Sequence, residues 1–382
     1  MRALVVTNIN IYCNEGKVYL PEQVFYIVKR YGEFFGKVDL FTRISSTRPN
    51  IKLIDATEYV GEVRGYRKKL QFFSAKVKRA LNDLVKESDL VITRQPAPIA
   101  CYAGKYSKKN GKKHLAEVMG DAFAAFWYHS LKGKVVAIPL FIANRHAIKN
   151  SDYALYVTKK SLQTAYPTRG LACGCSDVKI DPISDQLRER RYERIESYGS
   201  GGAVKLSTIG ATNVRYKGHA FVIKAISRLK KEGLVYKYTI IGGGNQVRLK
   251  KLAERLGVSD DVVFAGRCSM EEVFRLLDET DIYVHPSLTE GLPRSILEAQ
   301  SRGCATIGTA AGGIPEILPK ENLFGKGDVS GIAELLRSYT VEKLRAEAEY
   351  NIKFVEKFLL ENSDDVRRAF FDEIVKDLEN KQ

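Results

Sequence analysis

Residues 281–299 have the sequence DIYVHPSLTEGLPRSILEA, which contains the clearest indication of the fold. Its first seven residues, 281–287, are rich in apolar and aromatic side chains and predict a buried strand. Gly291 and Pro293 follow in a short loop, and Pro293 suits the first position of a helix. A strand, a short loop and a helix in this order predict one βα unit of a parallel sheet.

The same alternation of strands and amphipathic helices runs along the whole chain. In the second half the predicted strands lie in VKLSTIG (204–210), YTIIGGG (238–244), VVFAG (262–266), DIYVHPS (281–287) and ATIGTA (305–310). In the first half they are 2–7, 37–42, 89–93, 114–119, 135–139 and 153–158. Repeated βα units predict an α/β fold of two Rossmann-like domains, each with a doubly wound parallel sheet, which face each other across a cleft.

Chain length and one linker-like segment predict where the domains divide. The chain has 382 residues, which is more than one domain of about 100–150 residues needs. Segment 181–203 carries a charge cluster followed by Gly-Ser-Gly-Gly, which indicates a linker. We predict an N-terminal domain at 1–200, a C-terminal domain at 201–350, and a final helix at 351–382 that packs back on the N-terminal domain.

Positive charge is concentrated in the first half of the chain. The formal net charge is +16. Residues 1–200 carry 34 Lys and Arg against 19 Asp and Glu, whereas residues 201–382 carry 27 against 26. This excess predicts an anionic partner for the first half, such as a phosphorylated substrate, a membrane surface or nucleic acid. No nucleic-acid recognition motif is present, so we expect no nucleic acid.

Composition also predicts a location in the cytoplasm. No stretch approaches the roughly 20 apolar residues of a membrane span. The apolar run in the N-terminal sequence MRALVVTNIN is too short for a signal peptide. The six cysteines lack the spacing of zinc ligands, which favours reduced thiols.

Three strand-to-helix loops of the second half carry residues suited to binding an anion. Gly291 lets a ligand approach the start of a helix, whose free N–H groups suit a phosphate. Lys217 and Gly218 lie in a second loop, where the lysine offers a compact charge for a diphosphate. Gly312 and Gly313 form a third glycine-rich turn. Three such loops in one domain predict a nucleotide site.

Two carboxylates stand eight residues apart around the same helix start. Glu290 and Glu298 would repel a phosphate, but they can accept hydrogen bonds from hydroxyl groups. A nucleotide-sugar has hydroxyl groups on both its sugar and its ribose. A hydrolase pair is the weaker interpretation, because catalytic carboxylates flank one bond at about 5–10 Å and these two address different ends of a ligand.

The second half resembles the donor-binding domain of glycosyltransferase family 4, whose fold is GT-B. SLTEGLPRSILEA (287–299) resembles the E-x7-E motif of that family, with Glu290 and Glu298 as its two glutamates. The motifs KG (217–218), IIGGG (240–244), VVFAGRC (262–268) and GGIPEIL (312–318) follow the order and spacing of the family. The resemblance covers about 200–330, and the first half is similar to the family only in its rhythm of strands and helices.

The resemblance implies a retaining glycosyltransferase that requires no metal, and the chain has no D-x-D motif. Lys217 would hold the donor diphosphate, Glu298 the ribose hydroxyls and Glu290 the transferred sugar. Other implied donor contacts are Gly291, Leu292 and Pro293 near the diphosphate, and Gly242, Gly244 and Arg267 around the nucleotide. The N-terminal domain would bind the acceptor.

Two positions depart from the family pattern. Many members carry an arginine six residues before the lysine, where this chain has Ala211. Arg215 either substitutes as a diphosphate ligand or faces solvent. A histidine that the family often has in the first domain corresponds here to Gly120-Asp121. Asp121, or else Glu117, would then be a catalytic side chain near the acceptor hydroxyl, and the alternative is that Asp121 caps a helix.

These implications define an expected function and its alternatives. We expect a UDP- or GDP-sugar donor, a saccharide acceptor that is lipid-linked, and a role in a cell-surface polysaccharide such as capsule, O-antigen or exopolysaccharide. One alternative is a GT-B-like nucleotide-sugar epimerase, which needs no acceptor. Another is a non-catalytic module that binds a sugar nucleotide or a phospholipid.

Segment 64–79, RGYRKKLQFFSAKVKR, predicts contact with a membrane. It has seven basic residues and no acidic one. As a helix it would place Leu70, Phe73 and Val77 on a core face and Phe72 on an opposite, basic face, which is typical of a membrane-surface helix. A solvated face is the alternative. We therefore expect a protein that lies peripherally on the inner face of the cytoplasmic membrane.

Overall fold

The computed structural model describes residues 1–49, 51–128, 131–178, 180–198, 202–358 and 360–380, without the side chains at 69, 131–132 and 360–363. Residue contacts divide the chain into two compact units. The first consists of Met1–Phe123, Val136–Cys175 and Asp365–Gln382, and the second of Ala124–Val135 and Ser176–Asp364. No helix in the described ranges is long and apolar enough to span a membrane.

The described part of the first unit contains a nine-stranded, mostly parallel sheet. Its strands are β1 (Ala3–Asn14), β2 (Lys17–Pro21), β3 (Val38–Ser45), β4 (Leu53–Asp55), β5 (Val60–Tyr66), β6 (Leu90–Gln95), β7 (Lys113–Val118), β8 (Tyr153–Tyr156) and β9 (Leu171–Gly174). The order is β4-β2-β1-β6-β7-β8-β9, with β3 paired to β1 and β5 paired to β3. The antiparallel pairs within the described ranges are β1 with β2 and β2 with β4.

Helices cover both faces of this sheet, as a doubly wound fold requires. The helices that lie wholly or mostly in this unit are α1 (Glu22–Phe35), α2 (Ala75–Glu87), α3 (Pro98–Lys109), α5 (Leu131–Lys149), α6 (Ser161–Ala165) and α14 (Leu360–Glu379), whereas most of the short helix α4 (Ala122–Trp127) belongs to the second unit. Successive residues of β1 point to opposite faces. Ala3 and Val5 pack in the core with α1 and α14, whereas Leu4 and Val6 pack in the core with α2 and α3.

The end of the chain completes the core of the first unit. The Phe371 ring of α14 lies 5.1 Å from the Phe34 ring and 5.4 Å from the Phe35 ring. The amine of Lys113, at the start of β7, lies 2.7 Å from the carboxylate of Asp377. Residues from 365 onward therefore belong to the same unit as the first 123 residues.

The second unit has a fully parallel sheet in the order β12-β11-β10-β13-β14-β15. Its strands are β10 (Val204–Ile209), β11 (Tyr236–Ile241), β12 (Val262–Gly266), β13 (Ile282–His285), β14 (Ala305–Thr309) and β15 (Leu323–Phe324). Its helices are α7 (Asp185–Glu196), α8 (His219–Lys231), α9 (Val247–Arg255), α10 (Met270–Asp278), α11 (Arg294–Ser301), α12 (Val329–Arg337) and α13 (Val341–Val355). Helices α8, α9 and α12 pack in one core and α10 and α11 in the other, so the predicted Rossmann-like, doubly wound architecture is confirmed in both units.

The division between the units differs from the predicted boundary at residue 200. Part of the predicted linker 181–203 is helix α7, which belongs to the second unit. Arg191 is 4% exposed and donates to the backbone carbonyls of Leu277, Thr280 and Arg302. The density of charged residues had suggested a solvated linker. Arg191 can nevertheless be buried, because carbonyl oxygens accept the hydrogen bonds of its guanidinium.

Two predictions for the first half are wrong. Residues 135–139 form part of helix α5 and not a strand, although Pro139 lies among them. Segment 64–79 is not one helix, because it starts in β5, continues as a 3-10 turn over Lys69–Phe73 and enters α2 at Ala75. The helical wheel therefore does not apply: Leu70 and Phe73 are 74% and 59% exposed, and Phe72 packs partly against the core.

Candidate functional site

Four strand-to-helix loops of the second unit meet at one edge of the sheet. They follow β10, β11, β13 and β14, whose carboxyl ends lie at the same edge because all four strands are parallel. Strand order reverses between β10 and β13. Ligands of open α/β sheets bind at such a switch point, outside the carboxyl ends of the strands.

The loops after β10 and β13 are bound to each other through their backbones. Gly218, which precedes α8, has a positive φ of 76°, and a Cβ atom there would lie 2.0 Å from the carbonyl oxygen of Pro286. The backbone N–H of Leu288 donates to the carbonyl of Tyr216 over 2.8 Å. Only glycine allows this contact, so the Lys-Gly pair found in the sequence has a structural reason.

The loop after β14 closes on the loop after β13 in the same way. Gly312 has a φ of 54°, and a Cβ atom there would lie 2.0 Å from the carbonyl oxygen of Glu290. Gly313 donates its N–H to the carbonyl of Gly291 over 2.8 Å. After this turn the chain forms a short 3-10 helix over Ile314–Glu316, where the sequence had suggested a helix start. The backbone around Glu290 is thus held from both sides.

The glycines of the loop after β11 also make close contacts. A Cβ atom on Gly242 would lie 2.2 Å from the carbonyl oxygen of Gly210, and one on Gly244 would lie 2.3 Å from Oδ1 of Asn213. Arg267, the first residue after β12, is exposed, with its Cβ 3.6 Å from a Cβ built on Gly243. The predicted nucleotide contacts in IIGGG and at Arg267 therefore lie together beside the loop after β10.

Lys217 and Glu290 form an ion pair in this cluster of loops. The Nζ atom of Lys217 lies 2.6 Å from Oε1 of Glu290. Nε2 of His285, the last residue of β13, lies 3.1 Å from the same oxygen. Among the described residues, Oε2 of Glu290 has no hydrogen-bond partner. One oxygen of the carboxylate is therefore fixed, and the other is available to a ligand.

His285 is oriented by a second hydrogen bond. Its Nδ1 atom lies 3.3 Å from the hydroxyl of Tyr283, which in turn accepts from the backbone N–H of Ile209 over 3.2 Å. Burial lowers the pKa of His285, and the hydrogen bond to Glu290 opposes this effect only in part. The ring is therefore neutral, and the contacts assign its proton to Nε2, which donates to Glu290.

Glu290 stays ionised although its side chain is only 15% exposed. Burial raises the pKa of this carboxyl, but the hydrogen bond from His285 and the charge of Lys217 outweigh it and hold the pKa at about 2. Glu298 shows the opposite balance, because burial raises its pKa more than the nearby Arg294 lowers it. Surroundings thus distinguish two glutamates that look alike in sequence.

Glu298 lies in the middle of α11, on the buried side of the helix. Its Oε1 accepts from Nε of Arg294 over 2.7 Å, and its Oε2 has no partner among the described residues. Pro293 occupies the N-cap position, so the helix begins at Arg294 and one residue later than predicted. Gly291 and Leu292 immediately precede it and are half-buried.

Arg215 lies away from the ion pair of Lys217. It is exposed, its side chain has no hydrogen-bond or ion-pair partner within the described ranges, and its charge helps to lower the pKa of Arg248, second to desolvation. The structure therefore brings Lys217 and Glu290 together and leaves Arg215 outside that contact. Ala211 occupies the position where the family often has an arginine.

Asp121 of the first unit caps the start of α4. Its Oδ1 accepts from the backbone N–H of Phe123 over 2.9 Å and from the hydroxyl of Tyr166 over 2.5 Å. The structure thus agrees with the interpretation of Asp121 as a helix cap. Its Oδ2 atom has no partner among the described residues.

Glu117, the alternative to Asp121, is engaged inside the first unit. It is 2% exposed, forms an ion pair with Arg94, and accepts from the hydroxyl of Tyr31 over 2.6 Å. A buried carboxylate with these partners supports the fold. His114 is also buried, and burial lowers its pKa to about 4.

Sequence reasoning missed His285 and Arg294. His285 ends a buried strand five residues before Glu290, and a polar residue at the carboxyl end of a parallel strand was the available signal. Arg294 stands four residues before Glu298, which is the spacing of an ion pair on a helix. In both cases the sequence pattern indicated the glutamate but not the side chain that donates a hydrogen bond to it.

Comparison with known proteins identifies the class. The family model described as "Glycosyl transferases group 1" matches residues 196–353. "Protein CapJ" of Staphylococcus aureus is 32% identical over 331 residues, which are 85% of this chain and 80% of that protein. The chain belongs to the glycosyl transferases group 1 family and is a glycosyltransferase.

Further relatives and solved structures agree with this class. "Amylovoran biosynthesis glycosyltransferase AmsK" of Erwinia amylovora is 35% identical over 225 residues, covering 54% of this chain and 55% of that protein. Sucrose-phosphate synthase from Thermosynechococcus elongatus superposes with a TM-score of 0.70 at 13% identity and full coverage of both chains. Anabaena Alr3699/HepE in complex with UDP-glucose gives 0.65 at 15% identity, covering 98% of this chain and 100% of that one. The predicted GT-B fold is confirmed.

Proposed function

We propose that this chain is a retaining glycosyltransferase of family 4 that transfers a sugar from a UDP- or GDP-sugar to a saccharide acceptor in cell-surface polysaccharide synthesis. The arrangement around Glu290 is the observation that carries the proposal. One of its oxygens is fixed by Lys217 and His285, and the other is unengaged at the switch point of the sheet. Relatives named for amylovoran and colanic acid biosynthesis support the polysaccharide role.

In this proposal each loop binds a different part of the donor. Lys217 moves from Glu290 to the diphosphate, and the N–H groups of Gly291 and Leu292 add to that contact. The free oxygen of Glu290 accepts from a hydroxyl of the transferred sugar, and that of Glu298 from the ribose. Arg267 and the glycines of the loop after β11 lie next to the nucleotide. HepE, a protein of similar fold, is described with UDP-glucose, which supports a UDP-sugar as donor.

The proposed reaction takes place on one face of the sugar ring. The bond from the anomeric carbon to the diphosphate oxygen breaks, the bond to the acceptor oxygen forms, and the acceptor proton passes to the departing diphosphate. Lys217 stabilises the charge that develops on the diphosphate, and no metal ion takes part. Asp121 would receive a hydrogen bond from the acceptor through its free Oδ2 atom. The protein mainly positions the two reactants.

The acceptor in this proposal is lipid-linked, and the protein works on the inner face of the cytoplasmic membrane. The basic character of residues 1–200 supports this. Although segment 64–79 is not a continuous helix, it exposes Leu70 and Phe73 beside Lys68, Lys76 and Arg79. Exposed apolar side chains among cations are the composition of an anionic-membrane contact.

Thermal shift followed by turnover tests the proposed function. We would measure melting temperature with a panel of UDP- and GDP-sugars, with uridine as the control that lacks phosphates. A donor at 100 times its Kd stabilises the fold by about 2.7 kcal/mol. Transfer to a lipid-linked saccharide would support the proposal. Donor consumption without an acceptor would indicate an epimerase, and donor binding without any turnover would indicate a binding module.

A further inference from the structure

A basic groove lies between α8 and α9 of the second unit. Its volume is about 360 Å³. The residues that line it are Ala220, Lys224, Arg248, Lys251, Leu252 and Arg255. Lys224 follows Ala220 by one helical turn on α8, and the four lining residues of α9 share one face of that helix. The two facing helices thus place four cations around a small apolar surface formed by Ala220 and Leu252.

The four cations that line the groove lack acidic partners within the described ranges. No carboxylate lines it. None of its four cations has a hydrogen-bond or ion-pair partner among the residues that the structure describes. Elsewhere on α8, Arg228 pairs with Glu232 and Lys230 pairs with Asp261. Two cations of α8 outside the groove are therefore paired, whereas the four cations of the groove have no acidic partner among the described residues.

Crowding of like charges favours an anion in this groove. Burial lowers the pKa of Arg248, and the charge of Arg215 lowers it further. A bound anion would oppose this shift, because its negative charge favours the protonated guanidinium. Arginine presents a planar fork of donors that matches phosphate oxygens, and lysine adds point charges. Four cations together suit a ligand with more than one negative group.

We propose that the groove between α8 and α9 binds a ligand that carries two or more phosphate groups. Such a ligand is either a soluble polyphosphate or the headgroup of an anionic phospholipid, and the same contacts would hold both. The groove and the sugar-donor site use different side chains, because no residue of the groove takes part in the hydrogen bonds and ion pairs of Lys217 and Glu290.

Calorimetry with inorganic pyrophosphate tests the proposal on the full chain. All proteins would carry Lys217→Ala, so that the donor loop does not contribute. The test variant adds Lys224→Gln, Arg248→Gln, Lys251→Gln and Arg255→Gln. The control variant instead adds Lys105→Gln, Lys109→Gln, Lys231→Gln and Lys353→Gln, which removes the same charge from exposed positions. We expect the test variant to bind at least about tenfold more weakly than the control, because charged hydrogen bonds are lost.

A second arm identifies the source of the phosphate groups. Both variants would be sedimented with phosphatidylcholine vesicles that contain or lack phosphatidylglycerol. Vesicle binding lost only in the test variant would assign a lipid headgroup, and pyrophosphate binding without vesicle binding would assign a soluble ligand. Equal binding of pyrophosphate and of vesicles by the two variants would overturn the proposal. If the test variant does not fold, hydrogen exchange on the parent decides, because pyrophosphate that leaves the amides of α8 and α9 unprotected would also overturn it.

Discussion

The amine of Lys217 lies 2.6 Å from the carboxylate of Glu290, although 73 residues separate them in the chain. Strand β13 places Glu290 beside Lys217 because it pairs directly with β10. The two residues are side by side only because the sheet reverses its strand order between these strands. In our proposal, a donor would separate the two, with Lys217 binding its diphosphate and Glu290 its sugar.

Lys217→Ala should lower kcat/KM for the donor by about 10–150-fold. This corresponds to about 1.5–3 kcal/mol, the scale of one hydrogen bond to a charged group. Binding of uridine without phosphates should hardly change. Lys231→Ala, an exposed lysine of α8, is the matched control and should keep full activity. Unchanged kcat/KM in Lys217→Ala would show that this lysine does not bind the diphosphate.

Glu290→Gln and Glu298→Gln should affect different kinetic constants. Glu290 faces the transferred sugar in our proposal, so its substitution should mostly lower kcat. Glu298 contacts the ribose before and during reaction in the same proposal, so its substitution should mostly raise KM for the donor, by about tenfold. Steady-state kinetics with a fixed acceptor would measure both. A reversed pattern would mean that the two glutamates have each other's role.

His285→Phe should move the acid limb of the pH–rate profile to higher pH. Burial raises the pKa of Glu290, and His285 is the foremost group that opposes it and keeps this pKa near 2. Without His285 the pKa rises, so the carboxylate is protonated at a higher pH and activity is lost earlier on acidification. Lys231→Ala serves as the control with an unchanged profile. An acid limb that stays in place would exclude His285 as a positioning residue.

The same shift predicts how stability depends on pH. The folded-state pKa of Glu290 lies below its ordinary value of 4.5, so its contribution is complete above about pH 4.5 and is lost as pH falls toward 2. Parent and Glu290→Gln should therefore differ in unfolding free energy by up to about 3 kcal/mol at pH 7, and by less at pH 3. Urea unfolding at the two pH values would measure this. An equal difference at both would refute the assignment.

Gly218→Ala should destabilise the protein more than Gly233→Ala. Both glycines have a positive φ, of 76° and 84°, so alanine costs about 1–2 kcal/mol of backbone strain at either position. Only at Gly218 would the new Cβ also meet the carbonyl of Pro286, since nothing lies within 4 Å at Gly233. We expect an extra loss of about 1–3 kcal/mol at Gly218. Equal melting temperatures would mean that the two loops are not locked together.

Leu70→Ser with Phe73→Ser should weaken binding to anionic vesicles without loss of fold, because both side chains are exposed. Phe72→Ser should instead lower the melting temperature, because its ring packs partly against the core. Raising the salt concentration should release the parent, since charges more than about 8 Å away are screened at physiological ionic strength. If the double variant binds as the parent does, this segment is not a membrane contact. The side chain of Lys69 lies outside the described residues.

The local sequence pattern predicted the strands of the second unit correctly, but it failed for parts of the first unit. Every predicted strand from β10 to β14 is present, because short βα units alternate there with glycines at each loop. In the first unit, residues 135–139 are apolar and β-branched, which favours a strand, yet they continue a long helix. A helical wheel over 64–79 failed because β5 pairs with β3, a contact that lies outside the window of the wheel.

At the site, the sequence predicted the charged residues but not the side chains that form hydrogen bonds with them. Glu290, Glu298 and Lys217 stand out in sequence because glycines and a proline surround them. His285 and Arg294 matter through distances that only the folded chain sets. The pKa values of the two glutamates also depend on burial and partners, so residue type alone could not separate them.

Helix α14 sets the order in which the chain can fold during synthesis. Phe371 completes the core that begins with Phe34 and Phe35, so the first unit lacks part of its interior until the ribosome has added more than 300 further residues. At about 5–20 residues per second this takes roughly 15–70 s. The second unit has its whole sequence available before that moment. The half that emerges first is therefore the last to complete its core, and apolar surface around Phe34 and Phe35 stays uncovered by α14 during this interval.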